Sequence, residues 1–261
     1  MLLEKPDIND VFSPNSPKKR KIIHYLIIFF VVLILLGAII LLFILLRKKD
    51  NNSIYNSYDG TEIVCKYLTE SSKKEIEIIN NDIAKKYDFY IIINGKKEKN
   101  IQNISFENNQ SQNITFKFKD NLTSLAYLFY NIDDMIEIDL SKINSEIITN
   151  ISNLFGNCQN LKYISFGNFS TKKVTDMEQL FYNCYSLRKL NLTTFDTSNT
   201  VNIQRMFSGC AHLEEIYLSN FDTSKVVDIS DMFSGCFSLT SIDLSSFDTK
   251  NVEDMGDLFS G

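Results

Sequence analysis

Four cysteines stand at Cys158, Cys184, Cys210 and Cys236, a constant interval of 26 residues. Thiols so spaced could hold a metal, close disulfides or fill a core. Zinc needs ligands that converge tetrahedrally, and one cysteine per 26 residues, without histidine or carboxylate help, forms a row instead. Equivalent residues of neighbouring strands lie about 4.8 Å apart, within disulfide range, but their side chains project in parallel and not toward one another. The spacing therefore predicts a ladder of buried thiols acting as small core residues. Cys65 has no evident partner.

The other chemistry-bearing residues assemble into no reactive set. His24 sits at the edge of a long apolar run, and His212 lies in a variable slot between Ala211 and Leu213. A solvated or interfacial role suits both. The adjacent carboxylates Glu214 and Glu215 alternate faces on a strand and cannot work as one acid–base pair. The chain carries no glycine-rich phosphate loop, nucleophile elbow or HExxH arrangement. The expectation is a protein that is not an enzyme, with no catalytic, cofactor-binding or metal residues and no cofactor.

The interval of the cysteines extends to everything around them. Leu154-Phe155 recurs as Leu180-Phe181, Met206-Phe207, Met232-Phe233 and Leu258-Phe259, and backwards as Leu128-Phe129. After each cysteine four apolar positions hold one frame: Leu161, Ile164, Phe166, Phe169; Leu187, Leu190, Leu192, Phe195; Leu213, Ile216, Leu218, Phe221; and Leu239, Ile242, Leu244, Phe247. Around Ile216 and Leu218 the alternation has period two, which predicts a short strand. Val226, Ile229, Met232, Phe233 and Cys236 fall at helical offsets, which predicts a short helix. Between them Asp222-Thr223-Ser224, repeated as Asp196-Thr197-Ser198 and Asp248-Thr249-Lys250, reads as a turn that caps that helix. No unit can bury its apolar face alone, so the units must stack.

This frame resembles the leucine-rich repeat, and the whole unit resembles the 26-residue variant of BspA-like surface proteins. The resemblance rests on Met206-Phe207-Ser208-Gly209-Cys210, Met232-Phe233-Ser234-Gly235-Cys236 and Leu244-Ser245-Ser246-Phe247-Asp248-Thr249, and covers residues 122–261. It implies an α/β solenoid, leucine-rich-repeat-like, with a strand, a turn and a short helix in each 26-residue coil. Phe169, Phe195, Phe221 and Phe247 stand where the commoner leucine-rich repeat has a hydrogen-bonded asparagine or cysteine ladder, so a phenylalanine spine is expected there.

Upstream, Ile22 to Leu46 contains no charged residue. A helix of that length spans about 38 Å, enough for a hydrocarbon core of about 30 Å. A cleaved signal peptide has a shorter apolar region ending in small residues, whereas this run meets Arg47, Lys48 and Lys49. The segment reads as an uncleaved signal-anchor: a cytoplasmic tail at 1–21, a transmembrane helix at 22–46 and a juxtamembrane linker at 47–60. Lys18, Lys19, Arg20 and Lys21 outnumber the basic residues beyond the span and favour an inside N-terminus. Ser13-Pro14 and Ser16-Pro17 are either phosphorylation sites that weaken attraction to anionic lipid or parts of a stub whose lysines only set topology. Glycosylation sequons at Asn51, Asn103, Asn109, Asn113, Asn121, Asn150, Asn168 and Asn191 would all lie outside.

Residues 61–121 hold strand-like runs at Glu62–Tyr67, Glu75–Ile79, Asp88–Ile93 and Asn113–Lys119, with a turn at Asn94-Gly95. They read as a small β-rich cap on the array at 122–261. That array stops at Leu258-Phe259-Ser260-Gly261, before the next cysteine, and reads as truncated.

Strand residues that point away from the core would form one face: Tyr163, Ser165, Lys189, Asn191, Glu215, Tyr217, Ser241 and Asp243. They vary from unit to unit while the core frame does not, as a ligand-binding surface would. The family resemblance implies adhesion to a protein or extracellular-matrix ligand at the cell membrane. The other reading is a surface coat whose arrays self-associate laterally. A formal net charge of −5 with no basic stripe argues against nucleic acid as a partner.

Overall fold

A computed structural model describes residues 61–68, 75–106 and 111–261. The expected tail, transmembrane helix and linker, and the sequons at Asn51 and Asn109, lie outside the described residues. No helix among the described residues is long and apolar enough to cross a membrane.

Ten strands, one short α-helix and one 3-10 turn at Ser145–Ile147 form among the described residues. Strands β1 (Glu62–Leu68), β3 (Phe89–Ile93), β4 (Lys96–Lys99) and β6 (Ser111–Phe118) build an antiparallel region, with a second small sheet from β2 (Ile76–Glu77) and β5 (Asn103–Ile104). Alternate residues of β1 and β6 turn inward, so Ile63, Cys65, Tyr67, Ile114, Phe116 and Phe118 are fully buried. The buried Tyr67 hydroxyl donates to the Ile78 carbonyl and ties β1 to the chain after β2. Helix α1 (Asn81–Ala84) is a single turn, capped by the Asn80 side chain, which accepts from the Asp82 and Ile83 N–H groups at 3.1 Å each. Asn94 and Gly95 both take positive φ, as a two-residue hairpin turn requires, and join β3 to β4.

Strand β1 also pairs antiparallel with β7 (Met135–Asp139), and β7 pairs parallel with β8 (Tyr163–Ser165). The result is one mixed six-stranded sheet in the order β4-β3-β6-β1-β7-β8. Strands β9 (Lys189–Asn191) and β10 (Glu215–Tyr217) form a separate parallel pair. No ladder joins β8 to β9, and residues 241–243 carry no strand.

These findings overturn the α/β solenoid of strand, turn and short helix. Among the described residues the only α-helix is α1, outside the repeats, and the parallel sheet does not run through every repeat. The positions read as a helical face are turns. Tyr127, Asn153, Gln179, Arg205, Asp231 and Asp257 hold left-handed φ between 53° and 61°, and a second left-handed position recurs at Asn131, Asn157, Asn183, Gly209 and Gly235. Two such residues per repeat prevent a helix from propagating. At Gly209 a Cβ would also come within 2.1 Å of Asn183 Oδ1, so glycine is required by space as well as by φ of 76°.

The backbone hydrogen bonds confirm the geometry. Leu180 N–H donates to Met177 O (3.2 Å) within its own turn, whereas Phe181 N–H donates to Met206 O (2.9 Å) of the next repeat. Alternate residues thus bond locally and forward, and none follows the four-residue step of an α-helix. A run of parallel bridges through Asn150, Asp176, Asn202, Asp228 and Asp254 keeps the repeats in register on this side.

Inside, Phe155, Phe181, Phe207, Phe233 and Phe259 stack at centroid distances of 5.7, 5.7, 5.4 and 5.5 Å. The spine expected at Phe169, Phe195, Phe221 and Phe247 stacks only in pairs, at 6.4 Å and 6.2 Å. The cysteines form the expected ladder, buried at Cys158, Cys184 and Cys210 and half-buried at Cys236: each donates its thiol to the carbonyl of Phe129, Phe155, Phe181 or Phe207 in turn, at 2.9 to 3.2 Å. All five cysteines are free.

The Asp-Thr-Ser turns cap no helix. Instead the buried hydroxyl of Thr197 donates to Asp222 O (3.0 Å) and accepts from Asp222 N–H (2.7 Å) of the next repeat. Thr171 and Thr223 do the same with Asp196 and Asp248. The hydrogen-bonded ladder of the repeat therefore sits at threonine.

Candidate functional site

Register fixes which side chains share the outer face of the sheet. One row runs Asn113, Lys66, Glu137, Tyr163 and resumes as Lys189, Glu215; the next runs Thr115, Val64, Asp139, Ser165 and resumes as Asn191, Tyr217. Six of the eight expected face residues lie in these rows. Ser241 and Asp243 are exposed but stand on no strand. The sequence reading did not include Lys66 and Asn113, whose place on this face comes from β1 and β6 joining β7 across the sheet, nor Glu137 and Asp139, which stand one 26-residue period before Tyr163 and Ser165.

Charges alternate along the first row. Lys66 pairs with Glu137 at 2.8 Å and Lys189 with Glu215 at 2.6 Å. Between the two pairs Tyr163 is 66 % exposed and aligned with Glu137. Lys189 Nζ also lies 5.3 Å from the centre of the Tyr217 ring, whose hydroxyl donates to Glu215 at 2.7 Å. The hydrogen bond from Lys189, then that from Tyr217, holds the Glu215 carboxyl below its usual range, while the hydrogen bond to Glu215 raises Lys189. Tyr217 is held by two neighbours and Tyr163 stands alone above the sheet edge.

Between β8 and β9 a cleft of about 700 Å³ opens. Ile164, Phe166 and Leu190 supply its apolar wall, and Lys162, Arg188, Lys189 and His212 its basic rim. Tyr163 and Asn191 flank the opening. No carboxylate lines it, although Arg188 and Lys189 are paired with Glu214 and Glu215 just outside. His212 is fixed at Nδ1, which donates to the Tyr185 carbonyl (2.7 Å) because a carbonyl can only accept.

The sequons divide by geometry. Asn103, Asn113, Asn121, Asn168 and Asn191 are exposed. Asn150 is half-buried and spends its amide nitrogen on Asp176 at 3.1 Å, the atom a glycan would need. Asn191 Oδ1 accepts from the Thr193 N–H (3.0 Å) and hydroxyl (2.8 Å), which leaves its amide nitrogen outward on the sheet face.

Among the described residues no group of three or more histidine, cysteine or acidic side chains is placed to hold a metal ion. The thiols are not nucleophiles either: burial pushes Cys158 up to about 12 and Cys236 to about 11, and holds Cys184 and Cys210 well above the ordinary thiol. What the arrangement offers chemically is a surface of aromatic, charged and amide groups on a rigid sheet, interrupted by one basic cleft.

No curated protein and no solved structure matches the chain. A family model described as "Mycoplasma protein of unknown function, DUF285" matches residues 98–215 and 188–261, a stretch that includes all of the repeats and is over half of the sequence. The chain belongs to that DUF285 family.

Proposed function

We infer that this is a single-pass, membrane-anchored surface protein that displays its repeats for adhesive binding of a protein or matrix ligand, in the manner that the resemblance to BspA-like leucine-rich-repeat surface proteins implies. The apolar run at Ile22 to Leu46 supplies the anchor, and its basic N-terminal flank directs the repeats outward. The observation that carries the reading is the sheet face itself. It projects Tyr163 and Tyr217 among alternating charges from strands β8 and β10, each paired in parallel with the strand before it, and exposed aromatics on a rigid scaffold are the usual anchors of protein interfaces. A glycan at Asn191 would cover the middle of this face, so the reading requires that site to be unmodified or the ligand to approach from β7 and β8.

The test uses cells that express the full chain. External protease should remove a C-terminal tag from intact cells, and Tyr163→Ala with Tyr217→Ala should lower attachment to a matrix-coated surface by at least about tenfold. A doubly substituted chain that is folded and attaches like the parent would overturn the adhesive reading. Strong self-association of the purified chain with no ligand captured would support a lateral coat instead.

A further inference from the structure

The cleft between β8 and β9 has a property that its volume does not convey: both of its walls are strand edges with unused main-chain groups. Leu192 N–H donates to Tyr217 O (3.0 Å) and Arg188 O accepts from Glu214 N–H (2.8 Å), so the even-numbered residues of β9 face β10. Successive residues of a strand turn their N–H and C=O to opposite edges, which directs those of Lys189 and Asn191 toward β8. On the other wall Ser165 O accepts from Leu140 N–H (2.8 Å), so the groups of Ile164 face β9. In a closed parallel ladder these two sets would bond to each other, and no ladder is formed between these strands.

Three features then coincide within one cleft. The strand edges offer donors and acceptors in the spacing of an extended main chain. Ile164, Phe166 and Leu190 offer an apolar wall beside them. Lys162, Arg188, Lys189 and His212 surround the opening in a protein whose overall charge is −5. The ion pairs that Arg188 and Lys189 make with Glu214 and Glu215 are exposed on both partners, so solvent already screens them and an incoming carboxylate can exchange for them at little cost. Lys162 has no ion pair among the described residues.

We propose that the cleft between β8 and β9 docks an extended acidic peptide segment of a partner protein, which pairs its main chain with the open strand edge and sets its carboxylates against Lys162 and Arg188. Alternate side chains of such a segment would point in opposite directions, so apolar residues between the acids would meet Phe166 and Leu190. This rests on the adhesive reading above and names the chemistry of the partner. Charge and apolar contact alone would also suit a sulfated glycan. The unused main-chain groups on both walls favour a peptide.

The probe is a fluorescein-labelled peptide of alternating glutamate and valine, five residues long, titrated into the full chain in mild detergent and followed by anisotropy. Saturable binding that weakens with ionic strength is expected, and a lysine–valine counterpart should not bind. N-methylation of alternate peptide amides, which removes main-chain donors and keeps every charge, should weaken binding at least about tenfold. Lys162→Glu with Arg188→Glu should do the same while the urea midpoint stays that of the parent, since both residues are exposed. Lys162→Gln with Arg188→Gln gives a milder second variant should the reversed charges disturb folding. Absence of saturable binding, indifference to N-methylation, or displacement by a heparin-derived hexasaccharide that binds more tightly than the peptide would each overturn the proposal. Loss of the peptide site with cell attachment still dependent on Tyr163 and Tyr217 would sink this inference alone. Attachment indifferent to those tyrosines would sink the adhesive reading and leave the peptide titration to stand by itself.

Discussion

Phe166 stands edge-on to Phe195 of the next repeat, with ring centroids 4.9 Å apart and planes at 78°. The equivalent positions are Leu140, Leu192 and Leu218, and where Leu140 or Leu192 occupies it the strands on either side pair normally. The larger ring meets Phe195 on the sheet side while the bridge between Asp176 and Asn202 stays closed on the other. Phe166→Leu should therefore let β8 and β9 join. Hydrogen exchange at Lys189 and Asn191 should slow by at least about tenfold, with global stability changed by less than about 1.5 kcal/mol. Unchanged exchange at both amides would show that the ring is not what holds the cleft open.

The two aromatic columns should differ in their contribution to stability. Phe207 is stacked on both sides, at 5.7 Å on Phe181 and 5.4 Å on Phe233, whereas Phe221 stacks only on Phe247 at 6.2 Å. Truncation of either fully buried ring to alanine should cost about 3 to 5 kcal/mol, with Phe207→Ala at the upper end. Urea unfolding of the two variants side by side measures the order. A larger loss at Phe221 would mean that the column seen here is not the dominant packing element.

Thr197, itself buried, exchanges two hydrogen bonds with the main chain of Asp222 in the following repeat. Thr197→Val keeps the shape and strands both a donor and an acceptor, so a loss of about 1 to 3 kcal/mol is expected. Thr197→Ser keeps the hydroxyl and should lose less than the valine variant. Equal losses in the two variants would assign the role of the residue to its methyl group.

The buried thiols give a pH dependence with a definite sign. Cys158 is pushed by burial from 9.0 to about 12, so ionisation is easier in the unfolded chain than in the folded one. Its contribution to stability is complete below about pH 9 and is lost progressively as pH rises toward 12. Urea midpoints measured across that window should fall more steeply for the parent than for Cys158→Ala. Iodoacetamide at pH 8 should label Cys236, the half-buried member, well before Cys184 or Cys210, which should react only on unfolding.

The 26-residue period was fully legible in the sequence, because each repeat must present the same apolar residues to its neighbours. So were the buried cysteines, the inward and outward alternation at Leu190 and Ile216, and the β-rich character of residues 61–121. These properties depend on residue type and spacing alone. The turn segment was misread for a physical reason: turns linked by forward hydrogen bonds bury residues at intervals of three and four, as an amphipathic helix does. Asparagine and glycine at positions 131, 157, 183, 209 and 235 were the available signal, since these residues tolerate left-handed φ best, but Tyr127, Gln179 and Arg205 adopt it with no such mark. The tertiary structure alone decided where the sheet is continuous. That β1 extends the face beyond β7, that Lys66 and Asn113 share it with Tyr163, and that a basic cleft opens at Phe166 all depend on which strand edge meets which. Pairing of that kind is made between residues distant in the chain, and a local pattern of apolar and polar residues carries no record of it.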